Sequence, residues 1–183
     1  MEDALQGAKD IIAEMASDDA QVRSRIRNSM EKYGHLVTKA KKKHTDEKKV
    51  YKMYYEYSER VSSLANHRIM AIDRGEKEKV LNVSIDFDEE YIINWTINKF
   101  TKKRTSPVNY LIDEAVKDGL KRLAFPSVER EIRNELSEKA HEASIEVFSM
   151  NLERLLLQPP MKNKMVLGFD PAFRTGCKLA VID

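Results

Sequence analysis

Seven lysines, at positions 39, 41, 42, 43, 48, 49 and 52, crowd one stretch of the chain, opposed there only by Asp46 and Glu47. Tyr51, Tyr54, Tyr55 and Tyr57 follow closely. Ammonium groups neutralise phosphates and tyrosine rings stack on bases, so these types together suit sequence-independent contact with a nucleic-acid backbone. Lys39, Lys41, Lys42 and Lys43 are the candidate contacts. The competing reading is a solvated loop followed by a helix whose tyrosines pack inward. It has the greater weight, because charge runs are ordinarily exposed faces.

A second basic group is formed by His67-Arg68 and Arg74-Gly75-Glu76-Lys77. Arg68, Arg74 and Lys77 can bind phosphate beside a helix end or pair with Asp73 and Glu76, and structural ion pairing has at least equal weight. Arg174, in a polar turn near the C-terminus, completes the basic candidates. Little else suggests chemistry. Histidines 35, 44, 67 and 141 show no metal-ligand spacing, and the lone Cys177 excludes an internal disulfide and a cysteine zinc site. No glycine-rich phosphate loop or nucleophile motif occurs. The expectation is a protein that is not an enzyme, with no catalytic residue, no metal and no cofactor. Asp170 alone has the acid placement that metal chemistry uses, at the end of an apolar strand. One carboxylate does not hold a divalent cation, so the plain reading is that it caps the turn.

The elements that must position these residues follow from composition and periodicity. Of 183 residues, 42% are hydrophobic and 34% charged, with only 6 glycines and 5 prolines, which describes a helix-rich globular chain. Net charge is +2, from 32 basic and 30 acidic residues, so affinity for nucleic acid must come from local patches. No run approaches the roughly 20 apolar residues of a membrane span, and no signal-peptide pattern opens the chain. A reducing, cytoplasmic setting is expected, with no membrane partner.

Two helices are expected over 3–33, the first with Ile11, Ile12 and Met15 as its apolar face, the second, from near Ser17-Asp18 to Gly34, with Val22, Ile26, Met30 and Tyr33. Residues 35–41 are weakly β-like. The tyrosine segment 51–57 reads as helix, and Asn66 and Gly75 bracket a short helix from His67 to Arg74. Leu81, Val83, Ile85 and Phe87 alternate with polar residues, a half-buried strand. Asp88 opens a helix containing Trp95, closed by Lys99, Lys102 and Lys103. Ser106-Pro107 opens another, whose face runs from Val108 to Leu123. Phe125-Pro126 is expected to break it, with Ser127 capping a helix of about 45 Å that ends near Leu157, before Pro159-Pro160. Beyond the prolines, 165–169 and 177–182 read as a β-hairpin.

The string VLGFDPAFRTGCKLAVID, at 166–183, resembles the opening of the YqgF-type, RNase H-like domain of Tex-type bacterial transcription accessory proteins. LQGAKDIIAE at 5–14 and NHRIMAIDRGEKEKVL at 66–81 are similar to that family in order and spacing, so the resemblance covers essentially the whole chain. Ala172 and Lys79 stand where the family more often has glycine. The resemblance implies an internal fragment of a longer protein, with a helical scaffold region at 1–160 and the first two strands of a truncated RNase H-like domain at 161–183. The fold class expected is mainly α, a multi-helix domain with a small β element followed by that hairpin. The function implied is a non-catalytic scaffold in a transcription-associated protein that binds DNA or RNA. The alternatives are a protein-interaction module for transcription proteins, and part of a metal-dependent nuclease in which Asp170 would be a ligand. The hairpin, having lost its neighbours, is expected to be covered by the helical part or by another copy.

Overall fold

The computed structural model describes residues 2–42, 46–102, 104, 106–159, 161–173 and 176–183. The fold is mainly α with small antiparallel β elements, and the chain divides into two compact units, Met1–Ile145 and Glu146–Asp183.

In the first unit, α1 (Glu2–Asp18) and α2 (Ala20–Tyr33) are separated by Asp19, whose carboxylate accepts from the amides of Gln21 and Val22, both at 2.9 Å. Val22, Ile26 and Met30 are buried as their helical spacing requires, whereas Tyr33 is 70% exposed. The inner face of α1 also differs from expectation. Ala13 and Ala16 are buried, while Ile11 and Met15 point outward. The reason is the close crossing of α1 by α5 (Asn109–Gly119), where Gly119 lies against the backbone of Ala13 and leaves no space for large side chains.

Strand β1 (His35–Ala40) is the centre of an antiparallel sheet, flanked by β2 (Glu56–Arg60) and β3 (Leu81–Asp86). Leu36 lies opposite Glu59 on one side and Ile85 on the other. The tyrosine segment is therefore not a helix. It forms a short 3-10 turn at Lys52–Tyr54 and then enters β2, held by the amide of Ala40 donating to the carbonyl of Tyr55 at 2.9 Å. Cross-strand pairing outweighs local propensity here. The free edge of β3 is closed by Glu129, whose carboxylate accepts the Ile85 amide at 3.0 Å.

Helix α3 (Asn66–Lys77) runs past Gly75, which is buried in its last turn. A Cβ at Gly75 would lie 2.7 Å from Leu81 Cδ1, so glycine serves close packing there and not termination. The helix ends instead in a Schellman motif. Val80 N–H donates to the carbonyl of Gly75 and Lys79 N–H to that of Glu76, both at 2.9 Å, with Lys79 left-handed at φ 62°.

Helix α4 (Glu89–Thr101) is capped by Asp88, which accepts from the amide of Tyr91 at 2.9 Å. Helix α5 starts two residues after Ser106-Pro107, without a side-chain cap. Its expected break at Phe125-Pro126 is replaced by a π-turn, Leu120–Ala124, leading directly into α6 (Phe125–Leu156). Pro126 has no N–H for the usual ladder, and Phe125 N–H reaches five residues back to Leu120. Ser127 does not cap; it donates to Glu131 and accepts from Arg23. At 32 residues α6 is about 48 Å long.

The second unit holds the hairpin of β4 (Val166–Pro171) and β5 (Cys177–Ile182), registered from Val166 opposite Ile182 to Pro171 opposite Cys177. Its side chains are exposed on both faces except for half-buried Val166.

Candidate nucleic-acid interface

Antiparallel pairing of β1 with β3 sets Ala40 opposite Leu81, and one residue further the amide of Lys41 donates to the carbonyl of Val80 at 2.9 Å. The lysine-rich segment leaving β1 is thereby fixed beside the end of α3 that carries Arg74, Lys77 and Lys79. A second fastening comes from Asp46. Its carboxylate accepts from the amides of Val50 and Tyr51 and from the Tyr55 hydroxyl, each at 2.9 Å. Tyr51 is then buried against Val80, Leu81 and the surface of Gly75.

These links gather Lys42, Lys48, Lys49, Lys52, Arg74, Lys77 and Lys79 as exposed side chains at one end of the sheet, with half-buried Lys41 among them. The nearby acids offset only part of this charge. Asp46 is occupied within its loop, and Glu76 and Asp73 both pair with Arg133 of α6. Glu47 and Glu78 remain exposed at the rim. The expected pairing of Arg74 with Asp73 or Glu76 is thus taken over by Arg133, a partner on another helix.

The tyrosines do not form a stacking platform. Tyr51 is 5% exposed, and Tyr54, Tyr55 and Tyr57 are half-buried. Burial pushes the phenols of Tyr51, Tyr55 and Tyr57 upward, aided by bonds to Glu78, Asp46 and Glu59 respectively, so they stay neutral. The site offers cations for phosphate and few ring faces for bases.

The other candidates are dispersed. Arg68, at the opposite end of α3, binds Glu59 at 2.7 Å and the Tyr57 hydroxyl at 3.3 Å. The bonds from Tyr57 and Arg68 hold the Glu59 carboxyl below its ordinary range. Lys39 is exposed on β1 and lines a groove with Glu89, Lys121 and Glu129. Asp170 sits in β4 opposite Lys178, within the strand and not in the turn. Lys43 and Arg174 lie outside the described residues. Lys79 is not legible as a rim residue in the sequence, because its place depends on the Schellman turn; the only signal is its position next to a strand. Among the described residues no group of three or more His, Cys, Asp or Glu side chains is placed to hold a metal, and no helix is long and apolar enough to cross a membrane.

Residues 1–148 match the model of a family described as Tex central region-like. The whole chain is 51% identical to the uncharacterized protein YdcI of Bacillus subtilis, covering 26% of it. It is 30% identical, again over its whole length, to S1 RNA-binding domain-containing protein 1 of Homo sapiens, covering 20% of that protein. Over 98% of its length it is 28% identical to the transcriptional accessory protein Tex of Neisseria gonorrhoeae, of which it covers 24%. The chain thus spans about a quarter or less of the length of these relatives.

Proposed function

The chain belongs to the Tex central region-like family, and from that premise we propose that it is a non-catalytic helical scaffold within a transcription accessory protein, touching nucleic-acid backbone through its basic rim. The names of the Neisseria and human relatives, a transcriptional accessory protein and an S1 RNA-binding domain protein, support this setting. The observation that supports it most is the convergence of Lys41, Lys42, Lys48, Lys49, Arg74, Lys77 and Lys79 at one sheet end, while the acids Asp73 and Glu76 are held by Arg133.

Cations with few accessible ring faces and no groove-filling element beside them bind phosphate through counterion release and read no sequence. The contact is therefore weak, on the order of 10⁻⁴ to 10⁻⁶ M at physiological salt, and indifferent to base. In a longer chain it would orient nucleic acid held more tightly elsewhere. The hairpin β4–β5, with Asp170 one residue before the end of β4, fits the opening of a YqgF-type, RNase H-like domain whose remaining strands would lie further along such a chain.

Fluorescence anisotropy of a labelled 20-nucleotide single strand tests the proposal. A variant with Lys42, Arg74 and Lys77 all changed to Ala is expected to bind at least about tenfold more weakly than wild type, while Arg68→Ala, off the rim, binds like wild type. Equal weakening in both, or in neither, removes the rim as the interface.

A further inference from the structure

The three arginines of α2 have different fates. Arg27 pairs with Glu131 and Glu135 of α6, and Arg23 pairs with Glu131. Arg25, between them in sequence, turns to another face of the helix. Its guanidinium lies 4.2 Å from the centroid of the Trp95 ring and 5.9 Å from that of Tyr91, and it donates to the Tyr91 hydroxyl at 2.7 Å. No carboxylate pairs with it among the described residues. Lys99 also approaches the Trp95 ring, at 5.8 Å, but its ammonium is engaged by Asp19.

Arg25 and the rings line a cavity of about 750 Å³ between α2 and α4. Along α2 the lining runs from Ala20 to Tyr33, roughly 20 Å at 1.5 Å per residue, a length that takes about six residues of extended peptide. Tyr33 and Tyr91 are 70% and 53% exposed, so both rings present apolar surface to an occupant.

We propose that this groove docks a short peptide segment bearing a carboxylate beside aromatic or aliphatic side chains, the carboxylate on Arg25 and the apolar groups on Trp95, Tyr91 and Tyr33. Charge selects this occupant. One cation without a carboxylate partner, already oriented by the rings and the Tyr91 hydroxyl, suits a single anionic group through charge-assisted hydrogen bonds. A nucleic-acid strand would bring phosphates along the whole groove to the N-terminal end of α4, where Asp88, Glu89 and Glu90 stand together. A basic peptide would leave Arg25 facing like charge. This docking is independent of the basic rim, which lies at the ends of β1 and α3.

Trp95 is the single tryptophan of the chain, so its emission reports on the groove directly. The probes are an eight-residue peptide with one glutamate flanked by leucine and phenylalanine among serines, its counterpart with lysine for glutamate, and an eight-nucleotide thymidine strand. The acidic peptide is expected to give a saturable change, half complete at or below about 1 mM, and the other two none. Arg25→Ala should weaken it at least about tenfold. Gln21→Glu, an exposed change that gives Arg25 a carboxylate four residues away, should weaken it as well while leaving the circular dichroism unchanged. The rim variant described above should bind the peptide like wild type. The proposal is overturned if the acidic peptide gives no saturable change, if the lysine peptide or the thymidine strand binds as well, or if folded Gln21→Glu binds the acidic peptide undiminished.

Discussion

The amide of Lys41 donates to the carbonyl of Val80 at 2.9 Å, and this bond joins two basic segments far apart in the sequence. It extends the β1–β3 pairing by one residue and so sets the lysines after β1 beside Arg74 and Lys77. Together they form one surface. The same region contains the least comfortable backbone of α3's termination, because the Schellman turn places Lys79 in the left-handed region at φ 62°.

Lys79→Gly is expected to stabilise the protein. A non-glycine residue in that region costs roughly 1–2 kcal/mol, against roughly 0.5–1 kcal/mol for the greater freedom of glycine in the unfolded chain. The net gain is about 0.5–1 kcal/mol, read as a rise of about 2 °C in thermal midpoint, while Lys79→Ala, which keeps a Cβ, gains nothing. A lower midpoint for the glycine variant would contradict the reading of the turn.

Gly119→Ala is expected to destabilise. A Cβ there would lie 2.4 Å from the carbonyl oxygen of Ala13, so α1 and α5 must separate to admit it. Overpacking of this kind costs about 1–3 kcal/mol, which exceeds the gain of about 1 kcal/mol from replacing glycine in a helix. Urea denaturation followed by circular dichroism should show a lower midpoint; an unchanged or higher one would mean that the crossing is loose.

How far these features are legible in the sequence depends on the distance over which their causes act. Val22, Ile26 and Met30, the alternation from Leu81 to Ile85, and the length of α6 are readable because periodicity and proline placement act locally. The strand β2 is not, because Tyr51, Tyr54 and Tyr55 are spaced as on a helix and Tyr55 and Tyr57 as on a strand, and only pairing with β1 decides. Gly75 reads as a helix stop, since sequence does not distinguish glycine used for a left-handed turn from glycine used for space against Leu81. Ile11 and Met15 read as inward-facing because nothing local announces that Gly119 brings another helix close to Ala13. At the candidate site the lysines and Arg74 are visible as types, but their union and the removal of Asp73 and Glu76 by Arg133 require the fold.

Glu129 gives a pH-dependent test of the edge closure. Burial pushes its carboxyl above the ordinary carboxylate range, partly opposed by the bond from the Ile85 amide and the charge of Arg133. Since the folded-state value exceeds the unfolded one, ionising Glu129 costs stability. That cost is absent below the unfolded value, about 4.5, and is imposed as pH rises through the folded one. Glu129→Gln retains an oxygen acceptor for Ile85 without the charge. Its thermal midpoint relative to wild type should therefore become more favourable between pH 4.5 and pH 7. A constant difference, or one of opposite sign, would contradict the assignment.

Salt dependence of single-strand binding tests the basic rim most directly. The logarithm of the association constant for the labelled 20-nucleotide strand should fall linearly with the logarithm of salt concentration. The variant with Lys42, Arg74 and Lys77 changed to Ala should show weaker binding and a slope shallower by about 0.7 for each phosphate that the rim no longer neutralises, or about 2 in all. Binding by wild type that is undetectable or independent of salt, or a variant with unchanged affinity and slope, would contradict the account.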